Sequence, residues 1–274
     1  RSTLFPYTTL FRSSIKRILT LCLALALVLA LARLLSLDAF PARRFRTVLA
    51  AAGLAALPFA LVALEPDLGT AVLFPVIAAA MLFAAGMAKR WIFAAGGLAL
   101  AAAPLGWFAL GDYQRDRILT FLDPKRDPLG TGWNALQSML AVGSGGLYGK
   151  GYLQGTQNVL GFLPRTVSPS DFIFPVLAEE KGFFGAALLL AAYALLLVCY
   201  LRIAAKAETA DGALLAVGMA AILFFHVFVN IGMTIGLMPI TGLPLPLVSS
   251  GGTFMVCTLA GFGLVESVRA RETA

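Results

Sequence analysis

Seven stretches of this chain, 18–36, 47–64, 70–88, 91–110, 172–201, 213–237 and 248–268, are each approximately long and apolar enough to cross a lipid bilayer. A crossing takes about 20 mostly apolar residues. No other feature limits the possible folds so strongly. The stretches predict an all-α, polytopic integral membrane protein with about seven transmembrane helices. They are rich in Ala and Gly as well as Leu, Val and Phe. Small residues let helices approach closely where lipid supplies no hydrophobic drive between them. The chain is 59% hydrophobic and 13% charged, whereas a soluble domain is about 45–50% apolar and about 25% charged.

The net charge of +7 would suit a nucleic-acid binder, but its distribution argues otherwise. Arg43, Arg44 and Arg46 follow the first span, Lys89 and Arg90 the third, Arg202 and Lys206 the fifth, and Arg269 and Arg271 the seventh. The junctions 65–69 and 238–247 carry no Lys or Arg. Basic residues on every second short loop mark the cytoplasmic side. The segment 111–171 then faces outward. The basic residues orient helices, and no nucleic-acid partner is expected. Cys22, Cys199 and Cys257 each lie inside an apolar stretch, too scattered for a disulfide framework or a metal site.

The opening "RSTLFPYTTLFRSS" has no Met, no signal-peptide pattern and no convincing helix, and it repeats TLF on either side of Pro6 and Tyr7. Residues 1–13 are therefore expected to be a non-native leader, with 14–274 as an N-terminally truncated membrane domain.

The segment 111–171 is far longer than an ordinary connection, and such loops are functional or disordered. Its composition does not fit disorder. "YQRDRILTFL" and "WNALQSMLAV" place apolar residues at helical spacing, predicting short amphipathic helices on the outer membrane surface. Asp112, Arg115, Asp116 and Arg117 are spaced for pairing along one helical turn. "GSGGLYGKG" at 143–151 could converge backbone N–H groups on an anion with Lys150 adding charge, or be a bare flexible turn. Asp171 stands where this polar segment enters a span. Its residue type and place fit a helix cap and a general base at a cavity edge equally. Glu179 and Glu180 lie about 80° and 180° around a regular helix from Asp171, so the three cannot share one site unless the helix breaks. Asp67 reads as an N-cap, and His226, the only histidine, as a packing residue.

Five polar blocks occur in a fixed order: "EPDLGTA" (65–71), "DYQRDRILTFLDPKRDPLGTGW" (112–133), "QSMLAVGSGGLYGKGYLQGTQ" (137–157), "SDFIFPVLAEEKGFFG" (170–185) and "NIGMTIGLMPITGLPLPLVSSGG" (230–252). Together they resemble the SEDS family (shape, elongation, division and sporulation), most of all its rod-shape branch. The resemblance implies a ten-helix fold of which the seven spans correspond to helices four to ten. It also implies a peptidoglycan glycosyltransferase in the bacterial cytoplasmic membrane that polymerises lipid II at the outer face for elongation and shape. A class B penicillin-binding protein would be its partner, and membrane lipid its surroundings. Three departures stand out. The family's external block before its fourth helix is absent, "LPRTVSPSD" is two residues longer than the matching motif, and Ser250 replaces a Tyr. Activity of the fragment itself is not expected.

By this resemblance Asp171 is the catalytic residue. Glycan linkage also needs groups to hold the departing pyrophosphate, and charge-assisted donors serve that end. Arg115, Arg117, Lys150 and Arg165 are the candidates, with Glu179 as a further cavity residue. No metal site is expected, and the resemblance fixes no cofactor. Two other readings are a lipid II flippase, which should show polar interruptions in two repeated halves, and a scaffold for the transpeptidase, which would not need the Asp171 region.

Overall fold

The computed structural model describes residues 6–37, 41–42, 44–65, 67–163 and 169–272. The regular elements among them are helices: α1 (Pro6–Ser36), α2 (Phe45–Ala63), α3 (Leu68–Ala71), α4 (Leu73–Ala84), α5 (Lys89–Ala109), α6 (Asp112–Leu122), α7 (Thr131–Ser144), α8 (Thr156–Val159), α9 (Ile173–Lys206), α10 (Ala210–Thr234) and α11 (Gly252–Glu272). Among the described residues five helices are long and apolar enough to cross a membrane: Leu19–Ser36, Phe45–Ala63, Ile173–Lys206, Ala210–Thr234 and Gly252–Arg271. Leu68–Ala84, overlapping the expected third span, is a shorter apolar segment. The expected fourth span coincides with α5, 21 residues long.

Helix α1 runs from Pro6, so residues 6–14 of the opening stretch, expected to form no convincing helix, are helical. The reason is local. Pro is well placed at a first helical position, where its missing N–H is not required. No Gly or Pro follows until Pro41, so nothing breaks the helix between Pro6 and Ser36.

Helix α10 is the hub, packed by α9, α1, α4 and α11, with 67% of its span buried. Small side chains make this possible. A Cβ added at Gly218 would lie 2.6 Å from Val28 Cγ1 and 3.0 Å from Met81 Sδ, so α1 and α4 both close onto that glycine.

Helix α7 was expected on the membrane surface, yet it docks into the bundle. Gln137, Ser138 and Ala141 are buried, and Ser138 Oγ donates to the Thr234 carbonyl at 2.7 Å. Its N-terminus is held by Asp127, whose carboxylate accepts from Thr131 N (2.6 Å) and Thr131 Oγ1 (3.0 Å). Polar groups inside a membrane helix tend to face protein partners rather than lipid, and Ser138 finds one on α10.

Helix α9 is interrupted at Gly182, with φ 66° and ψ −164°. The glycine-rich loop after α7 fills the break. Lys150 N and Gly151 N donate to the carbonyls of Glu179 and Glu180 (3.0 and 3.1 Å), while Phe183 N and Phe184 N donate to the carbonyls of Gly146 and Leu147 (2.8 and 3.2 Å). A broken helix inside a bundle must have its freed groups satisfied, and this loop does so. Those N–H groups of the loop are thus spent on helix carbonyls rather than converging on an anion.

Gly182→Ala is expected to lower stability by about 1–3 kcal/mol or more, because this φ/ψ region is essentially reserved for glycine. The added Cβ would also meet Gly149 N and Leu147 O. Thermal unfolding in detergent measures it; an unchanged melting temperature would mean that α9 straightens without cost.

Candidate active site

One cavity of about 420 Å³ opens at the loop end of the bundle, and Asp171, Arg117, Tyr113, Glu65, Asp67 and His226 contribute to its wall. Apolar residues including Leu21, Val62, Leu73 and Phe254 close its inner part. Such mixed lining suits a ligand with a polar head and an apolar tail.

Asp171 precedes α9 and is 7% exposed. Its place is set by a clasp from elements distant in sequence. Asn230, on α10 and fully buried, donates Nδ2 to the Asp171 carbonyl at 2.9 Å and to the Leu243 carbonyl at 2.6 Å. Ser249 Oγ accepts from Leu245 N at 2.7 Å and donates to the Ser170 carbonyl. Ser250 N donates to the Pro169 carbonyl at 2.8 Å, and Tyr193 Oη donates to the Pro246 carbonyl. The loop 238–251 is thereby laid along 169–171. Gly242, at φ +75°, lets its backbone pass the carboxylate: a Cβ there would stand 3.2 Å from Asp171 Oδ2.

The signal for Asn230 was present in the sequence, since an amide inside an apolar span needs a partner. The reach of Ser249 and Tyr193 across the fold left no local trace. Asn230→Leu removes donors from two buried carbonyls, at about 1–3 kcal/mol. Amide hydrogen exchange in 238–251 should then quicken about tenfold or more. Unchanged protection would show that the clasp does not hold the loop.

Arg117 is the basic residue that the described structure brings to Asp171's cavity. It stacks on Tyr113, with the guanidinium carbon 4.6 Å from the ring centre, and donates to the Tyr113 hydroxyl. Its buried Nε has no protein partner among the described residues, which leaves donor capacity for a ligand. Asp67 caps α3 as expected, accepting from Thr70 N (3.3 Å) and Thr70 Oγ1 (2.6 Å). His226 is 2% exposed, with Nδ1 3.0 Å from the Ile222 carbonyl and its ring against Phe254: a satisfied packing residue that also forms cavity wall.

Other expected substrate-binding residues are engaged elsewhere. Lys150 Nζ bonds Glu179 Oε1 at 2.6 Å and Thr156 Oγ1 at 2.8 Å. Glu179, fully buried, also accepts from Thr156 Oγ1 (2.9 Å) and Gln157 N (3.2 Å). The two are a structural ion pair under the glycine-rich loop, outside the Asp171 cavity wall. The break in α9 falls at Gly182, beyond both glutamates, so it does not swing them toward Asp171. The Lys181 ammonium lies 5.4 Å from the Tyr152 ring centre. Arg115 donates to the carbonyls of Trp107 (3.1 Å) and Phe108 (2.8 Å) at the end of α5, and approaches Asp112 at 3.9 Å. Arg165 lies outside the described residues.

Fold and cavity together define a class: a multi-pass helical membrane protein whose loops enclose a polar, carboxylate-bearing chamber above an apolar floor. The family model for the cell cycle proteins FTSW_RODA_SPOVE matches residues 22–274, and the chain belongs to that family, the one its polar blocks resemble. It is 47% identical over 249 residues to the peptidoglycan glycosyltransferase MrdB of Escherichia coli K12, covering 90% of this chain and 66% of the relative. To the peptidoglycan glycosyltransferase RodA of Treponema pallidum it is 43% identical over 171 residues, covering 62% of this chain and 39% of the relative. A solved peptidoglycan synthase complex that coordinates polymerization and crosslinking matches with a TM-score of 0.71 at 35% identity, covering 88% of this chain and 66% of that one. The crystal structure of Thermus thermophilus RodA matches with a TM-score of 0.57 at 33% identity, covering 88% and 61%. The chain thus spans just under two thirds of the length of the first of these relatives.

Proposed function

We propose that this protein is a peptidoglycan glycosyltransferase that polymerises lipid II at the outer face of the bacterial cytoplasmic membrane, beside a class B penicillin-binding protein. The observation that carries the reading is the meeting of Asp171 and Arg117 in one chamber with an apolar floor. The relatives' names give the reaction class. In this reading the acceptor sugar hydroxyl forms a bond to the donor's anomeric carbon as the bond from that carbon to pyrophosphate breaks. Asp171 takes the hydroxyl proton, which general-base catalysis requires at hydrogen-bond reach. Arg117 meets the negative charge that develops on the leaving pyrophosphate. The apolar wall of Leu21, Val62, Leu73 and Phe254 receives the start of the polyprenyl chain.

Three carboxylates, Glu65, Asp67 and Asp171, share the chamber with Arg117. In this reading pyrophosphate lies at the Arg117 side and the hydroxyl at the Asp171 side, since only the arginine offers positive charge to the leaving group. The test is gel analysis of lipid II incubated with the full-length protein and a class B penicillin-binding protein. Glycan strands are the expected product. A folded, partner-bound preparation that makes none would overturn the reading.

A further inference from the structure

At the opposite end of the bundle, marked as cytoplasmic by its basic residues, a cavity of about 810 Å³ lies between α9 and α11. We propose that it binds an anionic phospholipid, with the phosphate held at Arg202 and Lys206 and an acyl chain rising to Leu247. Arg202 and Lys206 are four residues apart on α9, so they share a helix face. Neither has an ion pair among the described residues. Two like charges so placed repel each other, and a phosphate between them turns repulsion into attraction. The third cation, Arg269, is paired with Glu266 at 3.0 Å, and Glu208 is exposed at the rim. The two unpaired cations therefore set the local preference for an anion.

Depth and chemistry match a lipid rather than a free ion. From Leu196 to Lys206, both on the wall, the groove follows α9 for about 15 Å, roughly one leaflet of hydrocarbon. Its upper wall is apolar, with Leu196 and Leu247. Between the cations and that wall stands Tyr200, 6% exposed, whose buried hydroxyl has no hydrogen-bond partner among the described residues. Such orphaned groups are uncommon and call for a partner, and the ester carbonyl just below a phospholipid headgroup is an acceptor at the right level. Basic pockets between spanning helices on the cytoplasmic side are a recurrent form of anionic-lipid site.

The groove's upper limit is Leu247, a non-glycine residue at φ 66°. It belongs to the loop whose next-door Pro246 carbonyl is held by Tyr193 and whose Ser250 reaches Pro169. A seated acyl chain would support that loop from beneath.

The experiment uses the purified chain in neutral detergent, with native mass spectrometry and thermal unfolding. Dioleoyl phosphatidylglycerol should be retained and should raise the melting temperature, and dioleoyl phosphatidylcholine should do neither. Arg202→Gln with Lys206→Gln should lower phosphatidylglycerol retention about tenfold, and Tyr200→Phe should lower it several-fold. Both cations are exposed, so the lipid-free melting temperature of the double variant should match the parent. If the double variant does not fold, the same comparison on Arg202→Gln alone decides. Equal retention of the two lipids, or undiminished retention by the variant, overturns the proposal. Glycerol 3-phosphate should give no shift; a shift equal to the lipid's would make this a site for a free anion and overturn the lipid assignment.

Discussion

Asp171→Asn should reduce glycan synthesis from lipid II by about 10²–10⁴-fold, the loss that removal of a general base brings, with little change in the amount of folded protein. The amide preserves size and can still accept a hydrogen bond, but it does not take a proton from a sugar hydroxyl near neutral pH. The backbone at 171 is fixed by its own carbonyl, held by Asn230, so the clasp does not depend on the side chain that is changed. If Asp171 were only a cap at the start of α9, its loss would cost about 1 kcal/mol of stability and spare the chemistry. Yield after detergent extraction, co-purification with the penicillin-binding protein and strand length on a gel separate the two roles. Near-normal strand synthesis by the Asn variant would remove Asp171 from the mechanism.

Lys150→Met should act in the opposite sense, damaging the fold and reaching the chemistry only through it. It would leave Glu179, fully buried, without the ammonium that now sits 2.6 Å away. Breaking one side of a buried ion pair costs about 3–5 kcal/mol, because the remaining charge stays buried. Two hydrogen-bonding partners, Thr156 Oγ1 and Gln157 N, stay in place and soften the loss. The glycine-rich loop that closes the α9 break is tied to the same spot through Lys150 N, so the kink should loosen too. Replacing both residues, Lys150→Met with Glu179→Gln, should recover part of the lost melting temperature, since no charge is then left unpaired. Pairs that act as a unit show this non-additivity. Equal melting temperatures for parent and Lys150→Met would show that the pair contributes nothing to stability.

These two residues show where sequence reasoning succeeds and where it stops. Residue type and spacing were enough to find the apolar helices, because hydropathy over about 20 residues reports directly on burial in lipid. They were enough to read Asp67 as a cap and His226 as packing, since both roles depend on neighbours a few residues away. The ordered polar blocks identified the family. Sequence could not separate Lys150 and Glu179 from the cavity: 29 residues apart, they meet only because the loop after α7 folds into the α9 break. Nor could it choose among four basic residues, since Arg115 and Arg117 differ by two positions but by about 200° around α6. One turns to the carbonyls at the end of α5, the other to the chamber of Asp171.

The chain's own pattern therefore determined what is local or averaged: helix character, the membrane as solvent, the caps, and the end of the bundle that carries basic charge. Tertiary structure alone decided which polar side chains face one another. It set Asn230 of α10 against the backbone of Asp171, laid loop 238–251 along 169–171, and bound Glu179 to Lys150. The physical reason is the cost of an unsatisfied polar group away from water. That cost obliges each buried amide, hydroxyl and carboxylate to find a partner, but the partner can come from any element that packing brings near, and packing is not written in any one stretch of the chain.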